Sequence, residues 1–322
     1  MPSAGPLVGS RSFLSRLRDG DEIARLITFL FAATVVLITV LLVYELWVNC
    51  ALPRQKFGLH FFLTEVWDPV MDAYGALPFI YGTVVTSAVA LLIAVPLGIG
   101  ASIFLAELAA PRISDALQFF IDLLAAVPSV IYGVLGIFVV VPLMRTVIYP
   151  VLNKPLGFLP IFKGPSYGVG FFTAGIVLAI MVIPYIISVS REVLLSVPRD
   201  QREAALALGS TRWESTWKVV VPFARTGIMG SIFLALARAL GETMAVTMVI
   251  GNTPKISASL FAPGYSIAAV IANEFTEATG DLYLQALIEL GLVLFLLTFV
   301  LNGLARLLIL VTAQKGSGKG NQ

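Results

Sequence analysis

Arg238 and Glu242 stand four residues apart inside the apolar run LALARALGETMAVTMVIGN, and their chemistry demands an explanation before anything else in the chain. On an uninterrupted helix that spacing places both side chains on one face. An arginine at the centre of a membrane helix costs roughly 2.5–3.5 kcal/mol even on a lenient insertion scale, so it is expected to face a bundle interior or an aqueous path. Two readings are open. Either the charges form an ion pair that locks the helix, or Glu242 neutralises Arg238 at rest and releases it when an anion arrives. The second reading points to an oxyanion, because a guanidinium presents its donors in a planar fork that matches tetrahedral phosphate or sulfate better than a halide. Thr243, Thr247, Thr86 and Ser129 are candidate hydroxyl donors beside it, although Ser and Thr are also ordinary packing residues of membrane helices. An ionised Glu242 repels dianions yet accepts a hydrogen bond from a protonated phosphate oxygen, which sulfate lacks. That favours phosphate on chemistry alone and leaves the anion open.

A second kind of chemistry lies in EAALALGSTRWESTWKVVVP, from Glu203 to Pro222, the most polar long segment between two apolar spans. Glu203 to Leu208 are good helix formers, and Gly209 can take the positive φ that stops a helix. Thr211 with Glu214 makes an S/T-x-x-E capping box, which predicts a second helix from Arg212 toward Pro222. The product is a polar elbow of two short helices set at an angle. Ala204 and Ala205 add little bulk, so another protein can approach the backbone closely, which suits docking rather than catalysis.

The elements that position these residues are membrane helices. Of 322 residues 58% are hydrophobic and 12% charged, against roughly 25% charged in soluble domains. The apolar runs leave no room for a soluble domain. A net charge of +2 gives no reason to expect nucleic acid as a partner. Cys50 is the single cysteine and His60 the single histidine, so neither an intramolecular disulfide nor a zinc site is available, and no metal or cofactor is expected. Gly98-Ile99-Gly100 lies inside an apolar span with no strand before it and is no nucleotide fingerprint. The run from Lys315 to Lys319 lacks the glycine spacing and the following Ser or Thr of a phosphate-binding loop, so this chain is expected not to be an enzyme that hydrolyses ATP by itself.

Taken in order, the chain predicts an all-α, polytopic protein with six transmembrane helices. Residues 1–24 read as a tail. Residues 25–77 hold the first span, about 25–48, and an amphipathic connection whose aromatic content suggests an element lying at the membrane interface. Residues 78–313 form the core. Its spans run over about 81–106, 117–147 (interrupted near Pro128), 169–189, 227–250 and 282–310, with the elbow and its flanks at 191–225. Ala94, Gly98 and Ser102 recur at i, i+4 and i+8 and permit close helix packing in lipid. Residues 314–322 are a second tail. Lys and Arg number fourteen on the side holding both termini and the elbow and six on the other, which predicts both termini in the cytoplasm of a multi-pass cytoplasmic-membrane protein.

Glu203-Ala204-Ala205, Gly209 and the Val-Val-Val-Pro run ending at Pro222 resemble the EAA signature of ABC-importer permeases. Phe57-Gly58, Trp67-Asp68-Pro69, Gly82-Thr83, Thr86-Ser87, the run Ala126 to Gly133, Arg238 to Thr243 and Gly251-Asn252 narrow the resemblance to the phosphate-specific permeases among them, over roughly residues 22–312. The resemblance implies the type I importer permease fold and passage of inorganic phosphate past Arg238 and Glu242. It also implies a PstA-like second permease, a homodimeric PstB-like ATPase that receives the elbow, and an extracytoplasmic PstS-like phosphate-binding protein. One departure is mild: the elbow ends Val-Val-Val-Pro where the family more often places Leu before the proline, and the apolar character is kept. Permeases for sulfate, molybdate or phosphonate, an ion-coupled anion transporter, and a sensor scaffold are the competing expectations.

Overall fold

The computed structural model describes residues 21–164 and 167–317, with side chains described from residue 22 to 307 apart from residues 156, 165 and 166. Most of both expected tails, residues 1–20 and 318–322, lies outside the described residues. Helix α1 (Asp21–Asn49) is a unit by itself. Its residues 22–49 are apolar and exposed on every face, long enough to cross a bilayer.

The second unit begins at Cys50. A short helix α2 (Ala51–Phe57) leads into a tight turn, Gly58–Phe62. Several aromatic residues of this connection pack against protein. Phe61 and Tyr74 are buried with Phe79, Tyr265 and Leu287, and Trp67 meets Tyr74 and Phe79 edge-on at 5.0 and 4.9 Å. These rings form an internal aromatic cluster, while Leu59, Val70 and Met71 of the same connection are exposed.

Helix α3 (Leu77–Ile103) continues through one wide π turn to Leu108, α4 runs over Pro111–Ala125, and α5 is the span Ser129–Pro155. Sequence joined the last two into one interrupted span; the structure separates them. Pro128 caps α5 with φ −57° and ψ 139°, the extended geometry that a proline imposes on the entry to a helix. The same Val-Pro device makes the next corner. Helix α6 (Phe171–Leu195) ends before Val197-Pro198, where Pro198 has φ −56° and ψ 139°, and α7 (Arg199–Ala207) begins.

Pro96 and Pro184 lie inside uninterrupted α-helix, whereas three other prolines of the long helices are handled differently. Wide π turns at Gly136–Val140, Met144–Ile148 and Thr216–Val220 immediately precede the first turns that hold Pro142, Pro150 and Pro222. A proline lacks the N–H and crowds the carbonyl four residues back, and a π turn moves that carbonyl aside. The helix therefore passes through the proline. For this reason the elbow's second helix does not stop at Pro222, as the sequence suggested, but continues as α8 over Arg212–Leu240, a membrane-length helix. Helices α9 (Met244–Ile250), α10 (Ile267–Glu274) and α11 (Asp281–Ser317) complete the described residues.

Helices α3 and α6 form the closest pair. Ala94, Gly98 and Ser102 are all buried, as their spacing predicted. A Cβ at Gly98 would sit 2.7 Å from Cγ2 of Ile186, so the two backbones approach as only a glycine allows. Ala174, Leu178, Val182 and Ile186 of α6 join Ala239 of α8 and Val246 of α9 in one apolar core.

Candidate functional site

The fifth span is broken where the candidate charges lie. Helix α8 ends at Leu240, Gly241 caps it, and α9 starts at Met244. Glu242 and Thr243 therefore occupy a short non-helical link, and the expectation that Arg238 and Glu242 share one helix face is overturned. Four residues of separation place two side chains together only while the helix continues. Among the described residues no ion pair joins them. Glu242 turns forward, and its Oε1 accepts from the Ala245 N–H at 3.3 Å, near the start of α9.

Arg238 sits in the last turn of α8, where a cation complements the carbonyl end of the helix. Its partner is Tyr185 of α6. Nη1 of Arg238 donates to the Tyr185 hydroxyl at 2.9 Å, and the guanidinium carbon lies 4.2 Å from the ring centroid. The aromatic face is an electrostatic seat for the cation. Arg238 Nε is sealed from water and has no hydrogen-bond partner in the described structure. That is costly for a charged donor unless something fills it. An oxyanion meeting this edge would receive an N–H directed at one of its oxygens while the ring holds the fork in place.

The other sequence candidates divide. Thr243 lies in the break, its Oγ1 3.4 Å from the Gly241 carbonyl, and the Thr247 hydroxyl donates to the Thr243 carbonyl at 2.7 Å. Ser129 opens α5, whose Gly133 lies against Ala245 and Met248 of α9, so the start of that helix and the break are neighbouring elements. Thr86 is buried in α3, and its hydroxyl donates to the Gly82 carbonyl at 2.7 Å, which commits its proton to its own helix. No hydrogen bond links Ser129 or Thr86 to Arg238 among the described residues. Two residues were missed. Tyr185 follows Pro184 in an apolar run and left only a weak signal. Glu289 in α11 is buried, with Oε2 lacking a hydrogen-bond partner, and Arg54 of α2 is the opposing charge that acts on it; a lone carboxylate in the last apolar span was the available sign.

The elbow follows its local sequence closely. Gly209 has φ 89°, its N–H bonds to the Leu206 carbonyl at 3.0 Å, and Ser210 N–H reaches the Ala205 carbonyl at 3.2 Å. This pair of bonds is the glycine-dependent helix stop. Thr211 and Glu214 form the full reciprocal capping box. Glu203 and Ala204 are exposed, whereas Ala205, one position round the helix, is buried, so only Ala204 of the pair offers an open surface. Leu208, Trp213 and Trp217 are exposed beside it, with the two indoles edge-to-face at 5.6 Å. Arg202 fixes α7 to the body. Its Nη2 donates to Glu107 Oε1 at 2.8 Å and to the Leu194 carbonyl at 2.7 Å, its Nε lies 3.2 Å from both Glu107 oxygens, and Nη1 donates to the Val197 carbonyl.

Comparison with known proteins supplies the family. Residues 94–309 match the family described as binding-protein-dependent transport system inner membrane component. The chain belongs to this family. Relatives of this inner-membrane component include the phosphate transport system permease protein PstC of Mesorhizobium japonicum, 48% identical over 82% of this chain and 82% of the relative. That of Haemophilus influenzae is 47% identical over 91% and 93%. Among solved structures, a bacterial ABC transporter involved in the import of the acidic polysaccharide alginate aligns over 90% of this chain and 98% of its own, with TM-score 0.58 and 17% identity. That likeness bears on the fold, and it agrees with the six-span, all-α reading.

Proposed function

We propose that this inner-membrane component is the permease subunit of an ATP-driven importer of inorganic phosphate. It works with a PstA-like second permease, a homodimeric PstB-like ATPase in the cytoplasm and an extracytoplasmic PstS-like binding protein. The observation that carries the reading is Arg238, a guanidinium seated on Tyr185 at the broken end of α8 with its Nε–H unspent. Identity of about half the residues to phosphate transport permeases over most of the chain supports phosphate as the anion.

Phosphate handed over at the outer face meets Arg238 and loses it again when the break rearranges. Glu242 and Thr243 line that break, and Ser129 opens the helix that packs on α9; the Thr86 hydroxyl bonds within its own helix, α3. ATP binding closes the ATPase dimer, which moves the elbow at Glu203, Ala204, Ala205 and Gly209. Because α8 passes through Pro222 without stopping, a push on the elbow reaches Arg238 along a single helix. Fourteen basic residues on the elbow side support both termini lying in the cytoplasm. ATP hydrolysis belongs to the partner chain.

Phosphate uptake into vesicles carrying the assembled transporter, with excess sulfate as competitor, tests the reading. Uptake that requires ATP and resists sulfate is expected. Sulfate inhibition would assign the site to another oxyanion, and uptake driven by an ion gradient without ATP would overturn the coupling.

A further inference from the structure

Helix α7 touches the body of the molecule through few groups. Most of its residues are exposed; Ala205 is buried, and Arg202, three positions before it, is half-buried with its side chain 20% exposed and that of Glu107 11% exposed. Arg202 spends its guanidinium on three segments at once: the Glu107 carboxylate at the end of α3, the Leu194 carbonyl in the last turn of α6, and the Val197 carbonyl in the corner that follows. An exposed ion pair contributes little to stability. A fork engaged on a carboxylate and two backbone carbonyls instead fixes geometry, which a lysine's point charge cannot do.

What it fixes is the junction between the elbow and the closest helix pair of the core. Helices α3 and α6 interlock closely through Gly98 on Ile186 and Gly175 on Val89. Tyr185 lies on α6 ten residues before Leu195, roughly 15 Å along the axis. At that level it seats Arg238.

We infer that Arg202 and Glu107 are positioning residues for transport: they form the joint through which displacement of the elbow enters the α3–α6 pair and, by way of Tyr185, reaches Arg238. The inference rests on the proposed transport function and adds a second route beside the continuous α8. Neither residue touches the anion.

The test uses the complete transporter in proteoliposomes with labelled phosphate, measuring uptake and ATP hydrolysis on the same samples. Glu107→Gln is expected to lower phosphate moved per ATP hydrolysed at least tenfold, with KM for phosphate within twofold and the ATPase still co-purifying. Arg202→Lys, which keeps charge but not the fork, is expected to lose about three- to fivefold. The exchanged pair Glu107→Arg with Arg202→Glu restores opposite charges but leaves the Leu194 and Val197 carbonyls without a donor, and is expected to stay within about twofold of the Glu107→Gln defect; recovery to wild-type uptake would overturn the role given to the fork. Unchanged stoichiometry in the first two variants would overturn the joint. So would loss of the ATPase from the complex, which would make Arg202 a docking residue, or a large KM change, which would place it on the anion path. If the exchanged pair fails to accumulate, the two single variants decide. Spin labels at Leu208→Cys on the elbow and Val189→Cys on α6, in a Cys50→Ala background, give a readout independent of substrate. ATP should leave their separation unchanged with Glu107 present and alter it in Glu107→Gln; identical behaviour in both would count against the joint. Absence of phosphate uptake in the wild type would sink the functional proposal without touching this distance measurement.

Discussion

Two arginines in this molecule show opposite solutions to the same problem of holding a guanidinium away from bulk water. Arg202 engages Glu107 and two backbone carbonyls at the foot of α3 and α6. Arg238 has one neutral hydroxyl and an aromatic face, and its Nε–H meets nothing in the described structure. A cation whose donors are spent is built to stay where it is. One whose donors are held back, on a seat that fixes its orientation, is what the proposed transport function would use to receive a ligand that comes and goes. The acid placed nearest in sequence to Arg238 follows the same division: Glu242 turns to the backbone of α9 rather than closing on the guanidinium.

The contrast can be broken most severely at Arg238. Arg238→Ala is expected to reduce phosphate uptake at least a hundredfold while the chain still assembles with its ATPase; normal uptake, or failed assembly, would make the residue structural. The elbow should show the reverse pattern. Gly209 has φ 89°, with open space around it, so Gly209→Val meets backbone strain rather than a clash. The strain is about 1–2 kcal/mol for a side chain in this region. Insertion should be retained and uptake should fall about tenfold or more, read as uptake against membrane-inserted protein; full transport with unchanged ATPase binding would contradict the assignment.

Smaller changes sharpen the contrast. Tyr185→Phe keeps the ring under Arg238 and removes one hydrogen bond, worth about 0.5–1.5 kcal/mol. KM for phosphate should rise about two- to tenfold at nearly constant maximal rate; an unaltered KM would mean that the hydroxyl plays no part in setting the fork. Thr211→Ala removes half of the capping box, about 1 kcal/mol of helix stability. It should lower the melting temperature of the purified chain with uptake changed less than twofold, and a larger transport defect would show that the cap contributes to coupling.

What could be read from the sequence follows the range of the interaction. Gly209, Thr211 and Glu214 act within one or two helical turns, and the elbow formed as their types dictated. Ala94, Gly98 and Ser102 announced a packing face by their spacing alone. Arg238 stood out because a charge in an apolar run is expensive wherever it ends up. Its neighbours were less legible. Whether Glu242 shares its face depended on Gly241 ending the helix, and whether the elbow ended at Pro222 depended on a π turn in the preceding residues. Neither outcome follows from residue preference, since glycine and proline are both also found inside helices. Tyr185 and Glu107 lie 53 and 95 residues from the arginines they serve. No periodicity carries a pairing over that distance. The packing of the aromatic residues from Phe57 to Tyr74 was not legible for a related reason: rings suited to a membrane interface are equally suited to a buried cluster, and the partners Tyr265 and Tyr283 come from far along the chain.

The most direct measurement is the structure of the assembled transporter prepared with phosphate in an intermediate of its cycle. Tetrahedral density within hydrogen-bond distance of Arg238 Nε, over the Tyr185 ring and beside the break between α8 and α9, is the predicted result. Arg238 turned toward lipid, or its Nε closed on Glu242 with phosphate crossing elsewhere, would contradict the account.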